Sequence, residues 1–200
     1  QLVGPSIFGY NDQLVPYSYD PELAKQLLAE AKADGVAVDT PLKLIGRQNV
    51  YPNSQEVLIA IVSMLEEVGL DVTFELTETA QNYQLNTKPF AEDRANMLME
   101  DQHDNSAGDA SFTLFSKYHS EGAQSQVADT EIDDFITRGT AAVGDERKQL
   151  FQSAFKRLHD ELAADVQLFH MIGFTRVNPR VKFTPTIATN TELQLSQITF

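Results

Sequence analysis

The sequence predicts an α/β fold with a mixed or mostly parallel sheet flanked by helices, and three stretches carry that prediction. Residues 20–33 have the signals of a capped helix. Residues 42–76 run strand, helix, strand with short connections. Residues 145–165 form a long amphipathic pattern, followed by an apolar strand-like run at Leu168–Val177. Helical patterns alternating with short apolar runs favour strands joined by crossovers rather than hairpins.

The first helix is marked at both ends. Asp20 stands at the N-cap, Pro21 at the first helical position, and Glu22 near the positive helix end. Leu23, Leu27, Leu28 and Ala31 recur at helical spacing, and Gly35 stops the run. Such a stripe needs a partner. Leu42–Ile45, extending to Gln48, is the first strand. Asn53 and Glu56 have capping-box spacing ahead of a helix carrying Val57, Leu58, Ile61, Val62, Met64 and Leu65. Gly69 ends it, and Val72–Leu76 alternates as a second strand. A β-α-β unit of this length predicts parallel pairing through a right-handed crossover. Its Asn49–Ser54 loop has no glycine fingerprint, which argues against a dinucleotide or P-loop site.

Residues 79–90 fit a short polar helix and residues 95–102 a buried strand. Residues 103–126 have the composition of a long loop, and loops of that length inside domains are commonly functional. Helices follow at 130–142 and 145–165, the second capped by Asp145, with Leu150, Phe151, Ala154, Phe155, Leu158 and Leu162 as its stripe. The tail LQLSQITF alternates as a last strand. Residues 1–19, broken by Pro5, Gly9 and Pro16, are loop. The start QLVGPSIFGY lacks the features of a signal peptide, and Phe200 falls within a strand pattern. Both ends are therefore expected to be cut from a longer parent.

Composition narrows the function classes. With 42% hydrophobic and 22% charged residues, the chain has enough apolar content for a core. No apolar run approaches the ~20 residues that span a bilayer. Cysteine is absent, which removes disulfides, thiolate chemistry and the commonest zinc ligand. A net charge of −14 would repel a nucleic-acid backbone, so no nucleic-acid partner is expected.

Several segments, in order, resemble one family. YDPELAKQLLAEA is similar to a Y-D-P-x-x-A-x-x-L-L-x-x-A helix of the solute-binding proteins of the oligopeptide, dipeptide and nickel class of ABC importers. MLEEVGLDV, GDAS at 108–111, DTEIDDFI at 129–136, GDERKQLFQSAFKRLHDELAADVQLFH, VKFTPT and LQLSQITF continue the likeness. The resemblance implies one lobe of a periplasmic-binding-protein-like fold. Residues 1–177 would be the second lobe, and 178–200 a return segment toward a first lobe. It further implies capture of a small solute, such as an oligopeptide, in a periplasmic or extracellular location. ABC permease subunits would be its partners. No cofactor and no catalytic residue is implied.

Candidate ligand-binding residues follow from that resemblance and from loop chemistry. Ligands of open α/β sheets sit beyond the carboxyl ends of strands. The strand at 95–102 would deliver His103, Asp104, Asn105, Ser106 and Asp109, and the strand at 168–175 would bring His170 and Met171 to the same wall. Family members often carry Gly-Trp six residues before the aspartate of GD, which places His103 at the Trp position. The carboxylate that grips a peptide amino group, three residues after that Trp, corresponds to Ser106. Asp104, two residues away, could substitute. The same loop could equally be a solvated, turn-forming Asx loop. It lacks the register of an EF-hand, and no metal site is assigned. His170 also fits a core position, while His119 and His159 are expected at the surface. Two other readings stay open: a small-molecule hydrolase on an α/β scaffold, and a protein-interaction module with an exposed apolar patch.

Overall fold

The computed structural model describes residues 1–94, 96–105, 107–186 and 195–199. The chain divides into two compact units. One is Pro16–Gln102; the other joins Gln1–Val15 to the described residues from His103 onward.

In the Pro16–Gln102 unit, α1 (Pro21–Ala33) starts as its caps dictate. Asp20 accepts a hydrogen bond from the Leu23 N–H at 2.9 Å, and Lys32 lies in the last turn. None of its residues is buried, and Leu23 and Leu27 remain about half exposed at 47% and 53%. The stripe expected to need a partner is thus uncovered.

The sheet is built from β1 (Leu42–Arg47), β2 (Val72–Thr77) and β3 (Met97–Met99) in the order β2-β1-β3. Every pairing is parallel: Leu42 faces Val72, Arg47 faces Thr77, and Leu44 faces Leu98 on the other side. Helix α2 (Ser54–Glu67) crosses between β1 and β2. Its Leu58 packs with Leu44 and Val72 in a core that also gathers Ile61, Val62 and Leu65. Gly46 permits that approach, because a Cβ there would stand 2.2 Å from Leu58 Cδ1. Helix α3 (Thr79–Leu85) lies within the predicted 79–90.

Two expectations need correction in this unit. The capping box at Asn53 and Glu56 does not form, since Asn53 adopts a left-handed conformation (φ 63°) and makes no side-chain cap. Asparagine tolerates that conformation, and the geometry turns its amide away from the first-turn N–H groups. The strand expected at 95–102 is three residues long; Ala95 lies outside the described residues. The ladder ends with the Glu100 N–H donating to the Ile45 carbonyl at 2.8 Å.

The second unit is helical. It contains α4 (Ala110–Tyr118), α5 (Thr130–Ala141) and α6 (Gly144–Asp160). Ala110, Leu114, Tyr118, Ile132, Ile136, Phe151, Ala154, Phe155 and Leu158 form its core, closed by Val3 and Ile7 from the first segment. Phe8 ties that segment down: its N–H donates to the Gly108 carbonyl (2.8 Å), and its carbonyl accepts from Ala110 N–H (2.9 Å). Gly139 lets α5 and α6 meet, since a Cβ there would lie 2.5 Å from the Phe151 ring.

Five more expectations are corrected here. The long loop at 103–126 contains α4. Val143, not Asp145, occupies the N-cap of α6, and the helix ends at Asp160 rather than 165. Leu168–Val177 forms no strand: Ile172 and Phe174 are 76% and 94% exposed, and no described strand pairs with the segment. β-pattern alone cannot hold a strand whose backbone groups find no ladder partner. Among the described residues the tail has a 3₁₀ turn at Leu195–Gln197 and a single antiparallel bridge between Lys182 and Thr199 in place of a strand; Leu193, Gln194 and Phe200 lie outside the described residues.

Burial separates the two leucine stripes. Leu58→Ala is expected to destabilise its unit by about 2–5 kcal/mol. Leu27→Ala, on the uncovered stripe, should stay within about 0.5 kcal/mol of the parent chain. Urea unfolding followed by far-UV circular dichroism measures both.

Candidate functional site

The loop from His103 to Asp109 is ordered by its own side chains and by α4. Asn105 is its hub. Its Oδ1 accepts from the Gly108 N–H at 3.0 Å. Its Nδ2 donates to the Asp109 carbonyl (2.8 Å) and to Thr113 Oγ1 (2.9 Å). Thr113 is fully buried on α4, and its hydroxyl also meets His103 Nε2 at 2.7 Å. The His103 ring stacks on Phe112, with centroids 5.9 Å apart and planes 18° from parallel. Phe112 is 60% exposed. Asp104 lies exposed on the same loop, and Ser106 falls outside the described residues.

Asp109 closes the loop and caps α4. Its Oδ1 accepts from the Ser111 N–H at 2.8 Å, and Arg147 of α6 grips both carboxylate oxygens, at 2.9 and 3.1 Å. The Arg147 guanidinium also donates to the Gly139 and Thr140 carbonyls at the end of α5 and lies 4.7 Å over the Phe151 ring. Burial works against the Asp109 charge, but Arg147 and Ser111 outweigh it and hold the carboxyl below the usual range.

Helix α5 repeats the device. Asp129 accepts from the Glu131 and Ile132 N–H groups, and Arg157 of α6 grips both of its oxygens at 2.8 and 2.9 Å. The Arg157 hydrogen bonds, with help from the Ile132 N–H, bring Asp129 down to about 2.

His170 and Met171 stand apart from this loop. With no strand at 168–176, both are exposed, and His170 Nε2 lies 3.3 Å from the Gln1 carbonyl. No hydrogen bond or ring contact among the described residues joins either to residues 103–109. His119, expected at the surface, is buried. It stacks on Phe115 at 4.8 Å, and its Nδ1 accepts from the Glu121 N–H at 3.1 Å. Among the described residues, no three His, Asp or Glu side chains are grouped to hold a metal ion.

The other unit has a polar cluster of its own at the carboxyl edge of its sheet, which the sequence pattern MLME did not reveal. Glu100 is buried, with both carboxylate oxygens sealed from solvent, beside the Tyr51 hydroxyl and the Arg47 backbone N–H. Burial raises its pKa more than those donors lower it. Nearby, Asn86 donates to Asp101 at 3.3 Å and Asn82 to Thr77 at 3.2 Å.

The two kinds of carboxylate titrate with opposite sign. Asp109 and Asp129 have depressed values, so their stabilisation is present above the ordinary aspartate range of about 3.9 and fades as the pH falls toward the folded-state values. Asp129→Asn keeps a capping side chain but should lose about 1 kcal/mol at neutral pH and flatten the acid limb of the stability curve. Glu100 is raised, so its stabilisation holds below the ordinary glutamate value and is lost as pH rises through the folded value. Glu100→Gln should remove that decline. Chemical denaturation across a pH series checks both.

Comparison with known proteins places this geometry in context. Residues 1–124 match the family described as bacterial extracellular solute-binding proteins, family 5 Middle. The dipeptide-binding protein of Escherichia coli (strain K12) is 31% identical over 192 residues, covering 90% of this chain and 34% of that protein. Heme-binding protein A of Haemophilus influenzae is 27% identical over 191 residues, covering 89% of this chain and 32% of that protein. The chain therefore spans about a third of the length of these curated relatives. The crystal structure of a nickel ABC transporter from Bacillus halodurans shares the fold with a TM-score of 0.59 at 22% identity, over 78% of this chain and 33% of that one. Because the match runs across more than half of its length, the chain belongs to the bacterial extracellular solute-binding proteins of family 5.

Proposed function

We propose that the chain is part of the ligand-capturing component of an ABC importer for peptides or similar small solutes, working without a covalent step. In this reading residues 1–177 make the second of two lobes, and 178–200 return toward the first. A solute is held between the lobes by enclosed polar contacts and exclusion of water. The protein works in the periplasm or outside the cell, and a permease of the same importer receives the solute.

The observation that carries the reading is the family match over residues 1–124, which includes the loop at 103–109. The relatives, dipeptide-binding and heme-binding proteins, support a solute rather than a macromolecule as cargo. Within the loop, the residues divide by role. Asn105 and Asp109 turn inward to hold the backbone and α4. Asp104 is exposed and supplies a carboxylate for a cationic group of the solute; His103 and Phe112 supply a stacked wall. His170 and Met171 join the wall only when the segment around them finds a strand partner.

Calorimetric titration of the two-lobed protein containing this chain, with dipeptides, longer peptides and nickel, tests the proposal. Saturable heat without chemical change in the solute is the expected result; hydrolysis of a peptide or ester would overturn it. Asp104→Ala should weaken a solute bearing an ammonium group by about tenfold or more, the worth of one hydrogen bond to a charged group.

A further inference from the structure

We infer that Thr113 is a positioning residue for His103: loaded by the Asn105 amide, its buried hydroxyl donates to His103 Nε2 and fixes the tautomer of the neutral imidazole, with the proton on Nδ1. Neither nitrogen of His103 is then left to accept a hydrogen bond from a solute.

The argument begins at Asn105, whose orientation is set by two backbone groups. A backbone N–H can only donate, so the atom 3.0 Å from the Gly108 N–H is the amide oxygen. A carbonyl can only accept, so the atom 2.8 Å from the Asp109 carbonyl is the amide nitrogen. That nitrogen has two hydrogens. One goes to Asp109, and the other points at Thr113 Oγ1, 2.9 Å away.

Thr113 Oγ1 is therefore an acceptor toward Asn105, and its own hydrogen needs a destination. Thr113 is fully buried, and among the described residues its hydroxyl has one other partner, His103 Nε2 at 2.7 Å. If Nε2 carried the proton, the hydroxyl would accept twice and its hydrogen would be stranded out of reach of water. A buried donor without an acceptor is costly enough to disfavour that arrangement by about tenfold or more. With the proton on Nδ1, the Asn105 amide donates to Thr113 and the Thr113 hydroxyl donates to His103 Nε2. Stacking on Phe112 holds the plane of the ring, leaving rotation about its own axis to be settled by Thr113.

The consequence for the solute rests on the capture reading above. A neutral ring without a free acceptor gives no grip on an ammonium group. Position 103 then selects for groups that stack, and cation recognition is left to Asp104.

Long-range ¹H–¹⁵N correlation spectra of the ¹⁵N-labelled chain, at a pH where imidazoles are neutral, read the tautomer directly. His103→Gln identifies the signal among the four histidines. In the parent chain, Nε2 of His103 should give the shift of an unprotonated nitrogen and Nδ1 that of a protonated one. Thr113→Val removes the hydroxyl and should shift the population toward Nε2–H by about tenfold; Thr113→Ser should restore the parent pattern. An Nε2–H signal in the parent spectrum, which needs no variant to fold, overturns the inference. So does an unchanged His103 signal in folded Thr113→Val. These spectra contain no solute, so their failure leaves the capture reading standing. Failure of the titration with peptides and nickel leaves the tautomer standing.

Discussion

The helical unit depends on two aspartates doing double work. Asp109 and Asp129 each cap a helix, and each is gripped through both oxygens by an arginine of α6. Capping alone fixes where a helix starts. The arginine adds where it points, because a planar fork on a carboxylate admits a narrow range of orientations. Arg147 and Arg157 therefore turn α6 into a rail on which the first turns of α4 and α5 are mounted. Apolar packing of Phe151, Phe155 and Leu158 fills the space between these fixed points.

The polar loop before α4 inherits that rigidity. Its last residue is Asp109, held by α6, and its hub is Asn105, held by the Asp109 carbonyl and by Thr113. A loop rich in Asp, Asn, Ser and Gly would otherwise sample many turns. Here a short chain of hydrogen bonds leads from the arginine to the imidazole. The sheet unit uses a different logic. Its parallel sheet is organised by Leu44, Leu58 and Val72, and its polar groups collect at the carboxyl edge around Glu100. The sealed carboxyl there is tolerable because burial favours its uncharged form.

Much of the architecture was legible from local signals. Asp20, Pro21 and Gly35 delimited α1, and alternation around a helical stretch was enough for β1, α2, β2 and their parallel pairing. The misses share a cause. Helix α4 was hidden by the polar residues before it, although Asp109 followed by Ala110, Leu114 and Tyr118 at four-residue intervals carries a cap and an apolar face. Leu168–Val177 has strand composition but finds no ladder, and a ladder is a tertiary property. In the loop, the residue types suggested recognition, but not that Asn105 and Asp109 would turn inward. Arg147 is 38 residues from Asp109, and nothing in a linear reading announces such a pair.

The course of the chain between the two units has an outcome for biosynthesis. Residues 16–102 form one uninterrupted unit, set between two pieces of the other. Emerging from a ribosome, the sheet unit has all its strands once Met99 has cleared the tunnel. Val3 and Ile7, made before that unit, have no core to enter until Leu158 follows them out some hundred and fifty residues later. The order of folding thus departs from the order of synthesis: the inserted unit matures first, and residues 1–15, made before it, dock after it.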